Sequence, residues 1–354
     1  MKKTLVAIAT LTAASGTFAQ SNVVTLFGVL DASVARVSAS SKATGLTTGD
    51  NTSSRLGFRG TEDLGGGMSA GFWLEGGVNV DSGSGSTNGA FGFERRSTIS
   101  LTSKSLGEIR LGRDKVPAYL NIETFDPFAD IGIGGLGASN LISSSAAGTP
   151  GGSAPKRAGN AVQYILPATL GGFYGQAMYA FGEAPSSAVN DKQGNAYSLR
   201  GGYQAGAINL ALGYSEVRGG AATVPGGVDY ESTTVGASYN FGIVKPMVQF
   251  ISEKGAGQKR EVYELGATAP IGAGELRAAV STFRNKTTDD ADSNKFAIGY
   301  GYNLSKRTQV YATVARVSND GLAARGLAQS GLTSPTIANG RNVTGYEIGV
   351  RHSF

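Results

Sequence analysis

From residue 24 to the end, apolar and polar residues alternate in short runs with a period of two. This is the spacing of a β-strand with two unlike faces, because successive side chains on a strand point to opposite sides. In 207–215, Ile208, Leu210, Leu212 and Tyr214 oppose Asn209, Ala211, Gly213 and Ser215. In 231–241, Val235, Ala237, Tyr239 and Phe241 oppose Thr234, Gly236, Ser238 and Asn240. In 196–203, Tyr197, Leu199 and Tyr203 oppose Ser198 and Arg200, and in 54–60, Leu56 and Phe58 oppose Arg55 and Arg59. Sixteen such runs cover the chain, and no segment carries a convincing helical period.

The connections between runs fall into two kinds. Some are short, as at 62–67, 104–107, 167–172, 270–274 and 303–306. Others are long, polar and rich in Gly, Ser and Asn, as at 38–53, 81–90, 182–194, 219–227 and 319–341. The longest stretch, 114–156, carries no strand pattern and divides the fifth run from the sixth. A loop of that length inside a compact domain signals function or disorder. Its acids, Glu123, Asp126 and Asp130, lie in its first half after Asp114, and the expectation is that it folds inward and narrows whatever the strands enclose.

Short turns at one end and long loops at the other are the hairpin signature of a membrane barrel. A sheet crosses lipid only if it closes, since every backbone N–H and C=O must be paired internally. Sixteen strands leave an interior wide enough for water. The fold class expected is therefore all-β, a 16-stranded antiparallel transmembrane barrel with an inward-folded third loop. Aromatic residues near strand ends (Tyr164, Phe173, Phe181, Tyr203, Tyr214, Tyr239, Phe241, Phe250, Tyr300 and Tyr302) fit belts at the two membrane interfaces. Thr98 and Ser100 are read as a less apolar outer face suited to protein contact.

Residues 1–19 read as a signal peptide, with Lys2 and Lys3, a short apolar run and the cleavage site Thr17-Phe18-Ala19. Its removal lowers the formal charge from +5 to +3, far from a nucleic-acid-binding balance. Residues 20–354 then form one barrel domain. Cysteine is absent, so no disulfide framework exists. His352 is the only histidine, which leaves triads and histidine metal sites almost no material. No cofactor and no metal is expected.

The stretches VTLFGVLDAS (24–33), SRLGFRGTEDLGGG (54–67), GEIRLGRDKVPAY (107–119), FDPFADIG (125–132), KRAGNAVQY (156–164) and GVRHSF (349–354) occur in this order. Through them the chain resembles the general porins of Gram-negative outer membranes, and most closely the anion-selective trimeric branch. The resemblance implies an outer-membrane channel passing small hydrophilic solutes by passive diffusion, here inorganic anions and small organic acids. It implies a homotrimer in contact with outer-membrane lipid and lipopolysaccharide. It also implies an assembly signal at Phe354, read by the outer-membrane assembly machinery.

In that family, arginines on the wall face carboxylates on the third loop. Carried over motif by motif, the basic side is Arg55, Arg59, Arg95 and Arg157, with Arg96 as rival to Arg95 because adjacent strand residues face opposite ways. The acidic side is Glu75 on the wall and Glu123, Asp126 and Asp130 on the loop. The family's PEFGG loop motif is missing and Val29 stands where a lysine is common, so which loop acids reach the lumen stays open. Two other classes compete. An outer-membrane barrel enzyme would have to work through His352, and a secreted soluble β-protein of adhesin type would stay in solution without detergent. A plugged transporter is disfavoured, because no plug domain precedes the first run.

Overall fold

The computed structural model describes residues 24–86, 89–137, 156–219 and 228–354. The signal-peptide reading at 1–19 and the second half of the long loop lie outside them. Sixteen strands form one closed antiparallel ring. In order they are β1 (Thr25–Ser38), β3 (Arg55–Gly65), β4 (Met68–Asn79), β6 (Arg96–Ser103), β7 (Gly107–Lys115), β8 (Arg157–Ile165), β9 (Phe173–Ala180) and β10 (Ala196–Ala205). The ring continues through β11 (Ile208–Gly219), β12 (Val228–Tyr239), β13 (Lys245–Gly255), β14 (Gln258–Ile271), β15 (Gly274–Asn285), β16 (Ser293–Asn303), β17 (Thr308–Asn319) and β18 (Val343–Ser353). Pairing of β1 with β18, from Val29↔Ser353 to Ser38↔Thr344, closes it. Two short strands complete the loop end: β2 (Lys42–Thr48) pairs with Ala32–Ser38 of β1 and carries the wall on from β3, which pairs only with Thr25–Val29, and β5 (Ser84–Gly85) pairs with Val78 and Asn79 at the end of β4. The expected count of sixteen wall strands is met.

Seven turns of two to seven residues join the strands at one end, and the longer connections lie at the other. Two connections at the loop end are no longer than these turns, the seven residues 286–292 and a shorter one. β13 and β14 meet through Ala256-Gly257 alone, at φ of 52° and 72°. Two positive φ values match the twist of the flanking strands, and glycine supplies one at no steric cost.

The faces are inverted relative to a soluble sheet. Leu212 is 57% exposed and points outward, while Ser215 is 1% exposed and points in. Ile348 and Leu265 are exposed on the same outer surface. Thr98 and Ser100 correct the expectation made of them. They share the inward face of β6 with Arg96, whose Nε donates to Thr98 Oγ1 at 3.0 Å, and Ile99 and Leu101 are the exposed pair. Alternation fixes the two faces but not which is which, and here the apolar pair takes the outside. Aromatic contacts mark both rims: Phe173–Tyr203 and Tyr239–Phe241 at the turn end, Tyr179–Phe181 and Tyr197–Tyr214 towards the loop end.

The long loop holds a helix that periodicity does not reveal, α1 (Pro117–Phe125). Pro117 opens it, where its missing N–H costs nothing. Nine residues are too few for a helix to persist alone in water, so packing must hold it. Ala118, Tyr119, Ile122 and Phe125 are all buried against the inner wall. One apolar cluster joins Val116, Tyr119, Ile122 and Leu136 to Met178, Ile251, Val262 and Phe283, and a second joins Phe128 and Ile133 to Ala297, Val317, Leu327 and Val343. The interior is therefore not uniformly polar. Under the loop it is a packed core.

Small inner-face residues make room for this loop. A Cβ on Gly213, Gly236, Gly266, Gly299 or Gly345 would come within 3.3 Å of Ala118, Phe125, Pro127, Phe128 and Ile133 respectively. These glycines sit on alternate inner positions of β11, β12, β14, β16 and β18, and together they form a track along which the loop lies.

Candidate channel constriction

α1 is fixed to the wall by polar contacts as well as by its apolar face. The backbone N–H of Ala118 donates to Ser198 Oγ at 3.0 Å, and Asn121 Nδ2 donates to Thr234 Oγ1 at 3.1 Å. Arg200, inward on β10, reaches Asn121 Oδ1 at 2.6 Å and Thr124 Oγ1 at 3.0 Å. The helix therefore lines one side of the lumen, and the wall of β3, β4 and β6–β8 faces it.

Between them lies a cavity of about 340 Å³. Six basic side chains line it, Arg55, Arg95, Arg96, Arg110, Lys115 and Arg157, against two acidic ones, Glu75 and Asp114. Glu75 holds Arg95 at 2.7 Å and Arg55 at 3.9 Å, and accepts from Trp73 Nε1 at 3.2 Å. Arg157 donates through Nε to the backbone oxygen of Arg95 at 2.7 Å. Asp114 joins Arg110 at 2.7 Å and Arg96 at 3.4 Å. Fixed carboxylates hold the guanidinium planes in place without cancelling the excess of positive charge.

Four of the basic and acidic residues expected from sequence meet here: Arg55, Arg95, Arg157 and Glu75. The rivalry between Arg95 and Arg96 dissolves, since both line the cavity. Arg95 precedes the first residue of β6, so strand alternation does not bind it. Glu123, on α1, pairs with Lys115 at the cavity's edge.

Asp126 and Asp130 depart from the expectation of lumen-facing acids. Asp126 is 4% exposed and accepts the backbone N–H groups of Phe128, Asp130 and Leu136 at 2.7–2.8 Å. Burial pushes its carboxyl up to about 6, against the pull of those donors. Asp130 is 3% exposed, accepts from Tyr119 Oη at 2.7 Å and meets Lys156 Nζ at 3.1 Å. Burial and the Asp130 carboxylate push the Tyr119 phenol well above its ordinary range. Both acids brace the loop from within, because it turns back on itself there, with Ala129 and Asp130 at φ of 53° and 57°.

Arg59 also departs. It lies four residues further along β3, in a neighbouring hollow towards the turn end. Phe354 pairs its backbone with Gly28 of β1 through two 3.0 Å bonds, at the closing seam of the ring.

Sequence reasoning missed Arg110, Lys115, Arg200 and Arg325. Arg110 was open to discovery, since Glu108 and Arg110 alternate with Ile109 and Leu111. Arg325 was not. It reaches in from 320–342, stacks on Phe283 at 3.4 Å and donates to the backbone oxygens of Leu136 and Gly137 at 3.3 and 2.9 Å. Burial lowers its guanidinium to about 10, which leaves it charged at neutral pH. Among the described residues no group of three metal-ligating side chains converges.

The sequence profile of a Gram-negative porin family matches residues 4–322. The chain is 38% identical over 367 residues, covering all of both chains, to outer membrane porin protein 32 of Delftia acidovorans. It is 29% identical over 376 residues to an outer membrane porin protein of Bordetella pertussis, covering 88% of this chain and 93% of that one. Among solved structures, the anion-selective porin from Comamonas acidovorans superposes with a TM-score of 0.84 at 36% identity, covering 94% of this chain and all of the other.

Proposed function

This chain belongs to the Gram-negative porin family, and we propose that its outer-membrane channel passes small anions in preference to cations through the wall of Arg55, Arg95 and Arg157. The observation that carries this reading is the charge count around one narrow cavity, six basic side chains to two acidic. A water-filled constriction lined by one dominant sign concentrates counter-ions and lowers their barrier to entry. The solutes proposed are inorganic anions and small organic acids. With Asp126 and Asp130 turned inside the loop, Glu123 is the one loop acid of the expected three beside the cavity, and Lys115 offsets it. The field across the pore is then weaker than a full acid–base eyelet would give, and the net positive potential is stronger.

The barrel is proposed to assemble as a homotrimer. Lipopolysaccharide phosphates are proposed to meet Arg36 and Arg316, which stand exposed on the outward face near the loop end. Phe354 is proposed as the residue read by the assembly machinery. Catalysis is not part of this reading: His352 hydrogen-bonds Thr308 at the turn end, away from the constriction.

The decisive measurement is a reversal potential across a planar bilayer under a KCl gradient. An anion-selective potential is expected, and a cation-selective one overturns the proposal.

A further inference from the structure

Arg59 is held by aromatic rings. Its guanidinium carbon lies 5.0 Å from the ring centroid of Trp73 and 5.2 Å from that of Phe27. The two rings meet edge to face at 5.0 Å. The same indole takes Arg96 at 4.6 Å. Arg55, Arg95, Arg96 and Arg110 each lie within 4 Å of a carboxylate, whereas among the described residues Arg59 makes no ion pair. A ring face attracts a guanidinium through its quadrupole and fixes its position, yet leaves its charge and its N–H edge unspent. Arg59 is also exposed, so that edge meets solvent.

The hollow around it, about 420 Å³, is lined by three arginines, Arg59, Arg96 and Arg110, by Trp73, by the hydroxyls of Ser100 and Thr102, and by one carboxylate, Glu108, which Arg110 holds at 2.8 Å. Trp73, Arg96 and Arg110 also line the constriction, so the two spaces adjoin. Resting on the anion-channel reading above, we infer that Arg59, positioned by Trp73, forms a second station for small carboxylates on the turn side of the constriction. A planar carboxylate can take two parallel N–H bonds from one guanidinium, which a spherical halide cannot. An anion leaving Arg55, Arg95 and Arg157 meets Arg96 next and then Arg59, with the Glu108 carboxylate of the hollow offset by Arg110. Two weak stations in series let one anion displace the next, which is how a binding channel still conducts. Arg59 contacts the solute. Trp73 acts through Arg59 as a positioning residue.

The test uses the full-length channel in planar bilayers, with acetate as the probe and the acetate-to-chloride permeability ratio as the readout. Arg59→Gln and Trp73→Leu should each lower that ratio at least threefold, and the double variant should fall no further than Arg59→Gln alone. Trp73→Phe, which restores a ring, should recover most of the wild-type ratio, a rescue that a purely structural role would not produce. If Arg59→Gln or Trp73→Leu leaves the ratio unchanged in a channel that still prefers anions, this inference is overturned and the selectivity reading stands. If the wild type shows no anion preference, the selectivity reading itself fails.

Discussion

The ring of Phe125 fills the space that a side chain on Gly236 would need: a Cβ there would lie 2.0 Å from the ring's Cδ2. The loop can lie flat on the wall of β12 only because that position has no side chain. The width of the pore therefore depends on a residue that does not touch the lumen.

Gly236→Val should displace α1 towards the arginine wall or release it. Overpacking of a filled site costs roughly 1–3 kcal/mol, enough to shift a docked loop. Single-channel conductance should change with no loss of barrel strands, checked by far-ultraviolet circular dichroism. An unaltered conductance in a folded Gly236→Val channel contradicts the docking geometry.

Arg157→Gln removes one lumen charge that has no ion-pair partner among the described residues. A unit charge about 5 Å from a permeant ion in water is worth roughly 0.8 kcal/mol, or up to about fourfold in local anion concentration, before screening. The chloride-to-potassium permeability ratio should fall by about that factor in dilute salt and by less at 1 M. Glu75→Gln should move the ratio the other way, since it frees Arg95 and Arg55 from their shared carboxylate.

Asp126 should make loop docking pH-dependent. Its carboxyl sits near 6 in the folded chain, above its ordinary value of 3.8, so the folded state binds the extra proton. Its contribution is then fully present below about pH 4, is lost as pH rises towards 6, and is flat beyond. The difference in thermal midpoint between wild type and Asp126→Asn should change across pH 4–6 and stay constant from 6.5 to 8. A difference independent of pH throughout would show that folding does not raise the Asp126 carboxyl.

Arg325 ties the loop at 320–342 to the end of the constriction loop. Arg325→Gln should leave the buried oxygens of Leu136 and Gly137 short of donors, at a cost of about 1–3 kcal/mol. The expected readout is a lower thermal midpoint together with more frequent brief closures in single-channel records. Wild-type current noise in the variant argues that the two loops move independently.

The wall was legible in the sequence to a large degree. Ile208, Leu210 and Leu212 against Asn209 and Ser215 announce a two-faced strand, because the pleat fixes the period and neighbouring residues suffice to show it. Arg55, Glu75 and Arg157 followed from motifs that sit on such strands. Arg95 against Arg96 could not be decided, since the choice turned on where β6 begins, and element ends are set by pairing rather than by local pattern. Thr98 and Ser100 were placed on the wrong face for a related reason: alternation reports two faces but does not label them.

The chain's own order of residues determined a closed sheet with an apolar exterior, long loops at one end and an arginine-bearing inner wall, because backbone geometry and the need to pair every peptide group act over a few residues at a time. Only the tertiary structure decided which acids see the lumen. Glu123 sits on α1, which Ser198, Thr234 and Gly236 dock against the wall, whereas Asp126 and Asp130 lie where the chain beyond the helix turns back on itself over Gly266; these contacts come from distant strands that become neighbours once the ring has closed.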